Sequence, residues 1–353
     1  MVEHRSDVSH EVHFHVESGI GIITLNRPKA RNALTTGMVT AIAEHLEVWQ
    51  DDADVRAVLI RGAGDHGLCA GGDVRAMHAG AFNGDGSTAE FFRAEYRMNA
   101  AIHQFAKPYI AVMDGLVMGG GIGVSAHGSV RLVTERSLLA MPEVTIGISP
   151  DVGATWLLAQ APGFLGTYLA MTGATFGPGD AVYLGLADLF IPIANLGTLE
   201  HRIGDEPLDS VLRDLTEPAP PAELEDQQFW IDACFRFESV EEILAALDAQ
   251  PEGAARETAT LIRTKSPLAV SVALAAVTRA RALESVEQAL EMEFGVSCYL
   301  MYGHDGIEGI RALIIDKDRN PQWSPATFAE VTPDQIEAAF APFPFGSLDL
   351  HPD

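Results

Sequence analysis

The segment MDGLVMGGGIGVS (residues 113–125) decides the fold, because it joins a buried strand to a helix through a run of glycines. The apolar run 109–113 is typical of a buried strand, and residues 117–126 predict a glycine-rich turn that enters a helix. The free N–H groups at the start of that helix could hold an oxyanion or a phosphate. Two other interpretations stay open for the motif alone. One is tight packing of helix on strand, and the other is a dinucleotide fingerprint, which fits badly because the strand ends before the glycines.

The elements around this segment alternate between strand and helix. Side chains that alternate between apolar and polar indicate strands, and apolar side chains at helical spacing indicate helices. These patterns predict strands at residues 12–16, 20–25, 55–60, 131–133 and 138–141, and helices at 38–49 and 90–105. The first two strands are joined by Ser18-Gly19 and form a predicted hairpin. The fold class predicted from this order is an α/β layered core.

The second half of the chain has a different composition. Prolines and acidic residues around Pro218 predict a linker near residues 195–222, and the patterns beyond it are helical. We therefore predict a core over residues 1–200 that carries the functional site. Residues 201–353 are predicted to form the linker and a mostly helical C-terminal region.

Composition and charge exclude several classes of protein. The chain has 353 residues, of which 47% are hydrophobic, and its formal net charge is −26. A chain this apolar can bury a large core, so disorder is excluded, and the negative charge argues against a nucleic-acid or membrane partner. The three cysteines are far apart and the N-terminal sequence has no apolar stretch of signal-peptide length, so a cytoplasmic location is expected.

Two carboxylates follow the glycine-rich segment in MPEVTIGISPDVG (residues 141–153). Glu143 and Asp151 lie eight residues apart in apolar surroundings, where a fold can separate the pKa values of an acid and a base. Asp151 could instead cap a following helix, and Glu95 on the helix predicted at 90–105 could simply face solvent. The N-terminal histidines lack metal-ligand spacing with any carboxylate, so no metal site is predicted.

A second glycine turn, Ala70-Gly71-Gly72-Asp73, allows close backbone approach to a ligand. Many ordinary loops share its composition. Paired with Gly120, however, Gly72 would supply the second of two N–H groups that converge on one carbonyl oxygen. The sequence therefore suggests an oxyanion hole made by Gly72 and Gly120.

Together these motifs resemble the crotonase (enoyl-CoA hydratase/isomerase) superfamily, and most of all its branch that hydrolyses 3-hydroxyisobutyryl-CoA. The resemblance covers most of the chain. The matching segments are LNRPKARNAL (25–34), CAGGDVR (69–75), FFRAEYRMN (91–99), MDGLVMGGGIGVS (113–125), MPEVTIGISPDVGATW (141–156) and SCYLMYGHDGIEGIRALIIDKDRNPQW (297–323).

The resemblance implies a spiral of repeated ββα units with a helical C-terminal region. It also implies an acyl-CoA thioester whose carbonyl lies between the N–H groups of Gly72 and Gly120. By the same matching, Glu143 is the main catalytic carboxylate, Asp151 is its partner and Glu95 is a further active-site acid.

The activity that the resemblance implies is hydrolysis of a short 3-hydroxyacyl-CoA, such as 3-hydroxyisobutyryl-CoA in valine degradation. Enoyl-CoA hydratases carry a second glutamate where this chain has Gly123, so hydration is disfavoured. An enoyl-CoA hydratase, a dienoyl-CoA isomerase and a non-catalytic acyl-CoA-binding protein remain the alternatives.

Partners are predicted for the coenzyme A part of the substrate. Lys29 and Arg31 follow the first hairpin and would provide local positive charge for phosphates, and Asp73 is a third expected contact. No cofactor is expected beyond the coenzyme A of the substrate. The superfamily's association through C-terminal helices makes a homo-oligomer, a trimer or a hexamer, plausible.

Overall fold

The computed structural model describes residues 10–342 and 344–350. Residues 1–9, 343 and 351–353, which fall within the two predicted regions, lie outside the described part. The division of the chain at residue 200 stays a prediction.

A twisted six-stranded sheet forms the centre of the fold, with the order β1-β2-β3-β4-β6-β8. β1 and β2 are antiparallel, and all other neighbouring strands are parallel. The short strands β5 and β7 pair in a second parallel sheet. The strands are β1 (Val12–Glu17), β2 (Ile20–Leu25), β3 (Ala57–Gly62), β4 (Tyr109–Met113), β5 (Leu116–Met118), β6 (Val130–Val133), β7 (Leu138–Ala140) and β8 (Leu189–Phe190).

The predicted hairpin is confirmed. Ser18 and Gly19 both have positive φ angles, 49° and 79°, as a two-residue hairpin turn with the twist of its strands requires. The structure moves the strand predicted at 55–60 to β3, two residues later. The strands predicted at 20–25 and 109–113 have the predicted bounds, and the other three differ by one residue at one end.

Helices cover the sheet and build the C-terminal region. The first group is α1 (Thr36–Asp51), α2 (Val74–Asn83), α3 (Ser87–Gln104), α4 (Gly120–Gly123), α5 (Ala154–Ala159), α6 (Leu165–Thr172), α7 (Pro178–Tyr183), α8 (Leu196–Arg202) and α9 (Leu208–Leu215). The second group is α10 (Glu223–Phe235), α11 (Val240–Ala249), α12 (Gly253–Ile262), α13 (Pro267–Ala280), α14 (Val286–Met301), α15 (His304–Ile310) and α16 (Pro333–Ala339). The predicted α/β core with a helical C-terminal region is confirmed.

The central strands β2, β3 and β4 are buried on both faces of the sheet, and their alternate residues face two different cores. In β3, Val58 and Ile60 pack in the larger core with α1 and α3, whereas Leu59 packs in a smaller core on the opposite face. Strands buried on both faces read as continuous apolar runs, which is why β2 and β4 have no polar alternation. The sheet therefore holds the loops at its strand ends rigidly from two sides.

The prediction of a linker near residues 195–222 is wrong for most of that stretch. α8 and α9 lie within it and close the smaller core with Leu199, Val211 and Leu212, which are at most 8% exposed. Only residues 203–207 and the proline-rich residues 216–222 of this stretch carry no helix or strand. A helix was also missed at α2, where the glycine turn before it dominated the sequence pattern.

The C-terminal region returns to the core and covers one of its cavities. After α15 the chain forms a π-helical turn (Arg311–Ile315), and Arg75 of α2 donates a hydrogen bond of 2.6 Å to the Ile314 carbonyl. The final described segment, residues 344–350, is held on α3, where Arg97 donates to the Leu348 carbonyl at 2.9 Å. Distant parts of the sequence thus meet around α3.

Within residues 10–342 and 344–350, no single helix has both the length and the hydropathy needed to cross a membrane. α12 and α13 reach that threshold only as a pair, and they are bent by 113° relative to each other.

Candidate active site

Five of the predicted site residues line one cavity of about 320 Å³. The cavity lies where the carboxyl ends of the strands meet the C-terminal region. Phe91, Phe92 and Ile148 form part of its apolar wall, and Leu313 and Ile314 of the π-helical turn contribute to its cover. The predicted residues brought together here are Gly72, Gly120, Glu95, Glu143 and Asp151.

The two predicted oxyanion donors are adjacent in space. A Cβ atom on Gly120 would lie 3.4 Å from the Gly72 nitrogen and would collide with the Glu95 carboxylate, so a side chain at position 120 would displace Glu95. The two glycine loops are tied together, since Met118 N donates to the Cys69 carbonyl at 3.0 Å. In the described part of the chain, neither the Gly72 nor the Gly120 N–H donates a hydrogen bond. Both remain available to a carbonyl oxygen in the cavity.

Glu143 begins a 3₁₀ turn (Glu143–Ile146) directly after β7, and the residue is only 6% exposed. Its Oε2 atom has no hydrogen-bond partner in the described residues. Gly119 has a φ of 51°, and a Cβ there would lie 2.7 Å from the other carboxylate oxygen, Oε1. Burial raises the pKa of Glu143 well above its ordinary value, and repulsion from Asp151 and Glu95 raises it further.

Glu95 lies on the inner face of α3 and is 2% exposed, so the alternative that it faces solvent is wrong. One of its oxygens, Oε1, is buried without a partner in the described residues. Burial raises the pKa of Glu95 well above its ordinary value, and the nearby Asp151 adds to this. A carboxyl group held in this way suits proton transfer or a hydrogen bond to a substrate hydroxyl.

Asp151 does not cap a helix, because α5 begins three residues later and is preceded by Gly153. The Asp151 side chain lines the cavity instead, and its Oδ2 accepts a hydrogen bond of 2.6 Å from the Tyr96 hydroxyl. Burial raises the pKa of Asp151 to about 6, while the hydrogen bond from Tyr96 opposes this rise.

The electrostatics of the cavity come from three carboxyl groups without a cation. Within the described residues, no Lys, Arg or His lines this cavity. Desolvation is the largest cause of all three pKa shifts, so the carboxyl groups hold protons to higher pH than exposed ones do. Carboxyl groups with separated pKa values in one apolar site can act as acid and base at neutral pH.

Sequence reasoning missed three buried residues behind Asp151. Tyr96 contacts it directly, and Ser297 of α14 lies 2.8 Å from the Tyr96 hydroxyl. Glu293, also on α14, accepts hydrogen bonds from the N–H groups of Gly153 at 2.5 Å and Thr155 at 2.9 Å. Tyr96 lies beside a predicted residue in the sequence, but nothing local signals Ser297 or Glu293, which are about 140 residues away from the loop they support.

Glu293 is a fourth buried carboxyl group, outside the cavity. Burial raises its pKa to about 8, and the donated hydrogen bonds limit that rise. It holds the backbone immediately after Asp151, while His127 lies 2.6 Å from the Val152 carbonyl on the other side. The loop that presents Asp151 is therefore fixed from two directions.

The predicted coenzyme contacts lie outside this cavity. Lys29 and Arg31 are exposed, although the Arg31 carbonyl accepts a hydrogen bond from Ala70, which lines the cavity. Asp73 caps α2 and pairs with Arg27 at 2.9 Å, and its contact with the coenzyme stays a prediction. The structure thus gives Asp73 a local structural role and leaves the two cations beside the cavity.

In the part of the chain that the structure describes, no group of three or more His, Cys, Asp or Glu side chains is arranged to hold a metal ion.

Gly123, at the end of α4, is enclosed by neighbouring side chains. A Cβ atom there would lie 2.7 Å from the Asn99 amide nitrogen and 2.9 Å from the Val152 Cβ. The position where hydratases of the resembled superfamily carry a second glutamate is therefore filled by the packing of α3 and the Asp151 loop.

Comparison with known proteins identifies the relatives of this fold and site. Residues 20–340 match the family model described as enoyl-CoA hydratase/isomerase. The chain is 38% identical over 341 residues to the mitochondrial 3-hydroxyisobutyryl-CoA hydrolase of Xenopus laevis. The aligned residues cover 94% of this chain and 88% of that protein.

Two solved structures are also similar over nearly their full length. A carnitinyl-CoA dehydratase from Mycobacterium thermoresistibile is 47% identical with a TM-score of 0.93, and covers 97% of this chain and 99% of its own. An enoyl-CoA hydratase from Rhodobacter sphaeroides 2.4.1 is 38% identical with a TM-score of 0.90, and covers 96% of this chain and 99% of its own. The predicted crotonase-like fold is thereby confirmed, and the chain belongs to the enoyl-CoA hydratase/isomerase family.

Proposed function

We propose that this protein hydrolyses a short 3-hydroxyacyl-CoA thioester, namely 3-hydroxyisobutyryl-CoA, to 3-hydroxyisobutyrate and coenzyme A, a step of valine degradation. The observation that carries the proposal is the set of three buried carboxyl groups around the two unused N–H groups of Gly72 and Gly120. The identity to a 3-hydroxyisobutyryl-CoA hydrolase over nearly the whole chain supports the same substrate.

The proposed reaction begins with the thioester oxygen between the Gly72 and Gly120 N–H groups. Negative charge develops on that oxygen as the carbonyl is attacked, and one such donor contributes about 3–4 kcal/mol to its stabilisation. Glu143 either removes a proton from the attacking water or attacks the carbonyl itself, forming an anhydride that water then opens. In both routes the C–S bond breaks and the coenzyme A thiolate takes up a proton.

The other two acids have separate proposed roles. Asp151 orients the substrate hydroxyl or the water, or protonates the departing thiolate. Glu95 fixes the substrate hydroxyl. The raised pKa of Glu143 means that the ionised form required for attack increases as the pH rises.

Hydration of an enoyl-CoA, the activity in the name of one similar structure, is the second candidate. It requires two acid/base groups on the reacting double bond, and the position matching the second one is Gly123, enclosed by Asn99 and Val152. A dienoyl-CoA isomerase is favoured only by the pair of acids at 143 and 151. A non-catalytic acyl-CoA-binding protein would need the two N–H groups but not three acids.

The proposed setting follows from the chemistry and the charge. Hydrolysis of the thioester needs no metal and no cofactor beyond the coenzyme A of the substrate. Lys29 and Arg31 would bind its phosphates. We also propose a cytoplasmic homo-oligomer, a trimer or a hexamer. The net charge of −26 supports the absence of nucleic-acid and membrane partners.

The test is thiol release from 3-hydroxyisobutyryl-, 3-hydroxypropionyl-, crotonyl- and acetyl-CoA by the wild type and Glu143→Gln. We expect rapid release from the two 3-hydroxyacyl esters and a loss of about 10²–10⁴-fold in Glu143→Gln, because the amide can neither accept a proton nor attack. Glu47→Gln, an exposed position on α1, is the matched control.

Two other outcomes would overturn the proposal. A change in the crotonyl absorbance without thiol release would indicate a hydratase. Tight acyl-CoA binding with neither signal would indicate a binding protein.

A further inference from the structure

Tyr96 is a fully buried tyrosine whose hydroxyl belongs to the edge of the active site without lining its cavity. It has no exposed surface and follows Glu95 on α3. Its hydroxyl donates to Asp151 Oδ2 at 2.6 Å, which is a short hydrogen bond to a charged group. The aromatic ring is packed against Phe92 and Phe294, so the hydroxyl cannot swing away.

Ser297 completes a chain of three hydroxyl and carboxyl groups. Its Oγ lies 2.8 Å from the Tyr96 oxygen, and the serine is 1% exposed. A phenol has one proton. Because the Tyr96 hydroxyl uses that proton in its hydrogen bond to Asp151, Ser297 donates a hydrogen bond to the Tyr96 oxygen. This second hydrogen bond strengthens the one between Tyr96 and Asp151.

The groups that face Asp151 are otherwise acidic. Glu143 approaches it from the 3₁₀ turn, Glu95 from α3 and Glu293 from α14. His127 contacts the neighbouring Val152 carbonyl, and its pKa is lowered to about 4 chiefly by burial, so it is neutral at pH 7. Among the side chains around Asp151, the Tyr96 hydroxyl is therefore the one that lowers its pKa against burial, and a hydrogen bond from the Asp151 backbone acts in the same direction.

We propose that Tyr96, supported by Ser297, is a positioning residue that fixes the Asp151 carboxylate and keeps it ionised for thioester hydrolysis. The hydrogen bond occupies Oδ2 and leaves Oδ1 for the substrate hydroxyl or the water. The part of this proposal that concerns catalysis rests on the proposed function. The ionisation of the Asp151 carboxyl group can be measured without any substrate.

The expected effect of Tyr96→Phe is an upward shift in the titration of Asp151. Loss of a hydrogen bond to a charged carboxylate moves its pKa upward by about one to two units. Ser297→Ala leaves the Tyr96 proton in place and should produce a smaller shift in the same direction. Tyr109→Phe is the matched control, because the buried Tyr109 hydroxyl donates to the Val124 carbonyl instead.

Two readouts separate this inference from the proposed function. The first is the pH dependence of kcat/KM for thiol release between pH 5 and 9. The second is a ¹³C NMR titration of protein with labelled aspartate carboxyl groups, in which the Asp151 signal is the one missing from Asp151→Asn. The second needs no activity.

We expect Tyr96→Phe to move the midpoint of the Asp151 titration, and one limb of the pH profile of kcat/KM, to higher pH. In Tyr109→Phe we expect both to stay where they are in the wild type. An unchanged Asp151 midpoint in both Tyr96→Phe and Ser297→Ala would overturn the inference, even if activity falls equally at every pH. Absence of thiol release by the wild type would overturn the proposed function alone. If Tyr96→Phe fails to fold, Ser297→Ala decides the inference by the NMR midpoint.

Discussion

Gly123 illustrates how the size of one residue limits the chemistry of the cavity. The ordinary carboxylate pair of a hydratase requires a side chain at this position, and the space is taken by Asn99 and Val152. Asn99 is buried, and its amide has no hydrogen-bond partner in the described residues. The acid/base groups of this site therefore come from other positions, Glu95 on α3 and Asp151 on the loop before α5.

We predict that Gly123→Ala destabilises the protein by about 1–3 kcal/mol, because its Cβ would force Asn99 and Val152 apart. Gly197→Ala is the control. It lies in α8 with no heavy atom within 4 Å of the added Cβ, and should be neutral or stabilising by about 0.5–1 kcal/mol. Urea unfolding measures both variants. Equal stabilities would show that the wall around Gly123 is loose enough to admit a side chain.

At the scale of elements, α3 and α14 organise the site. α3 presents Glu95 to the cavity and Tyr96 to Asp151, and α14 places Ser297 and Glu293 behind the same loop. The two helices are far apart in sequence and meet through apolar packing such as that of Tyr96 on Phe294. The loop that carries Asp151 thus depends on the C-terminal region for its conformation.

A substitution in α8 tests whether the stretch predicted as a linker is part of the hydrophobic core. We predict that Leu199→Ala costs about 2–5 kcal/mol, because Leu199 has no exposed surface and fills the smaller core. Leu261→Ala, at a leucine that is 37% exposed on α12, should cost far less. The comparison is made by urea unfolding. Similar small losses in both variants would mean that α8 packs loosely on the sheet.

The whole molecule combines a strongly acidic composition with buried acids. Glu95, Glu143, Asp151 and Glu293 all have raised pKa values, with burial as the largest cause in each. A carboxyl group whose pKa is higher in the folded state binds its proton more tightly there. Its stabilising contribution is complete below its ordinary pKa near 4 and is lost as the pH rises through the raised value.

We therefore predict that the free energy of unfolding falls by a few kcal/mol, roughly, from pH 5 to pH 8. Urea unfolding at a constant 0.15 M salt measures it, since salt screens the general repulsion of a net charge of −26. Glu293→Gln should flatten the slope and Glu47→Gln should not. A free energy that rises over this range would contradict protonation of the buried acids.

Patterns confined to short segments were sufficient for much of the fold. The hairpin, the central strands and the glycine-rich turn rest on local alternation, turn residues and apolar runs, and the structure agrees with them within two residues. The five residues gathered in the cavity stand in four distinctive segments, with Glu143 and Asp151 in the same one. Helix α2 and the pair α8 and α9 were missed, because glycine, proline and acidic residues dominated their local signals.

The sequence by itself determined the α/β class, the family and which carboxyl groups and glycines to consider. Only the tertiary structure decided that Glu95 is buried, that Asp151 caps no helix and that Tyr96, Ser297 and Glu293 support it. The physical reason is that burial and hydrogen bonding depend on elements as far apart as α3 and α14. A glutamate or aspartate is written the same way in the sequence whether water or apolar side chains surround its carboxyl group. Those surroundings set the pKa of the group.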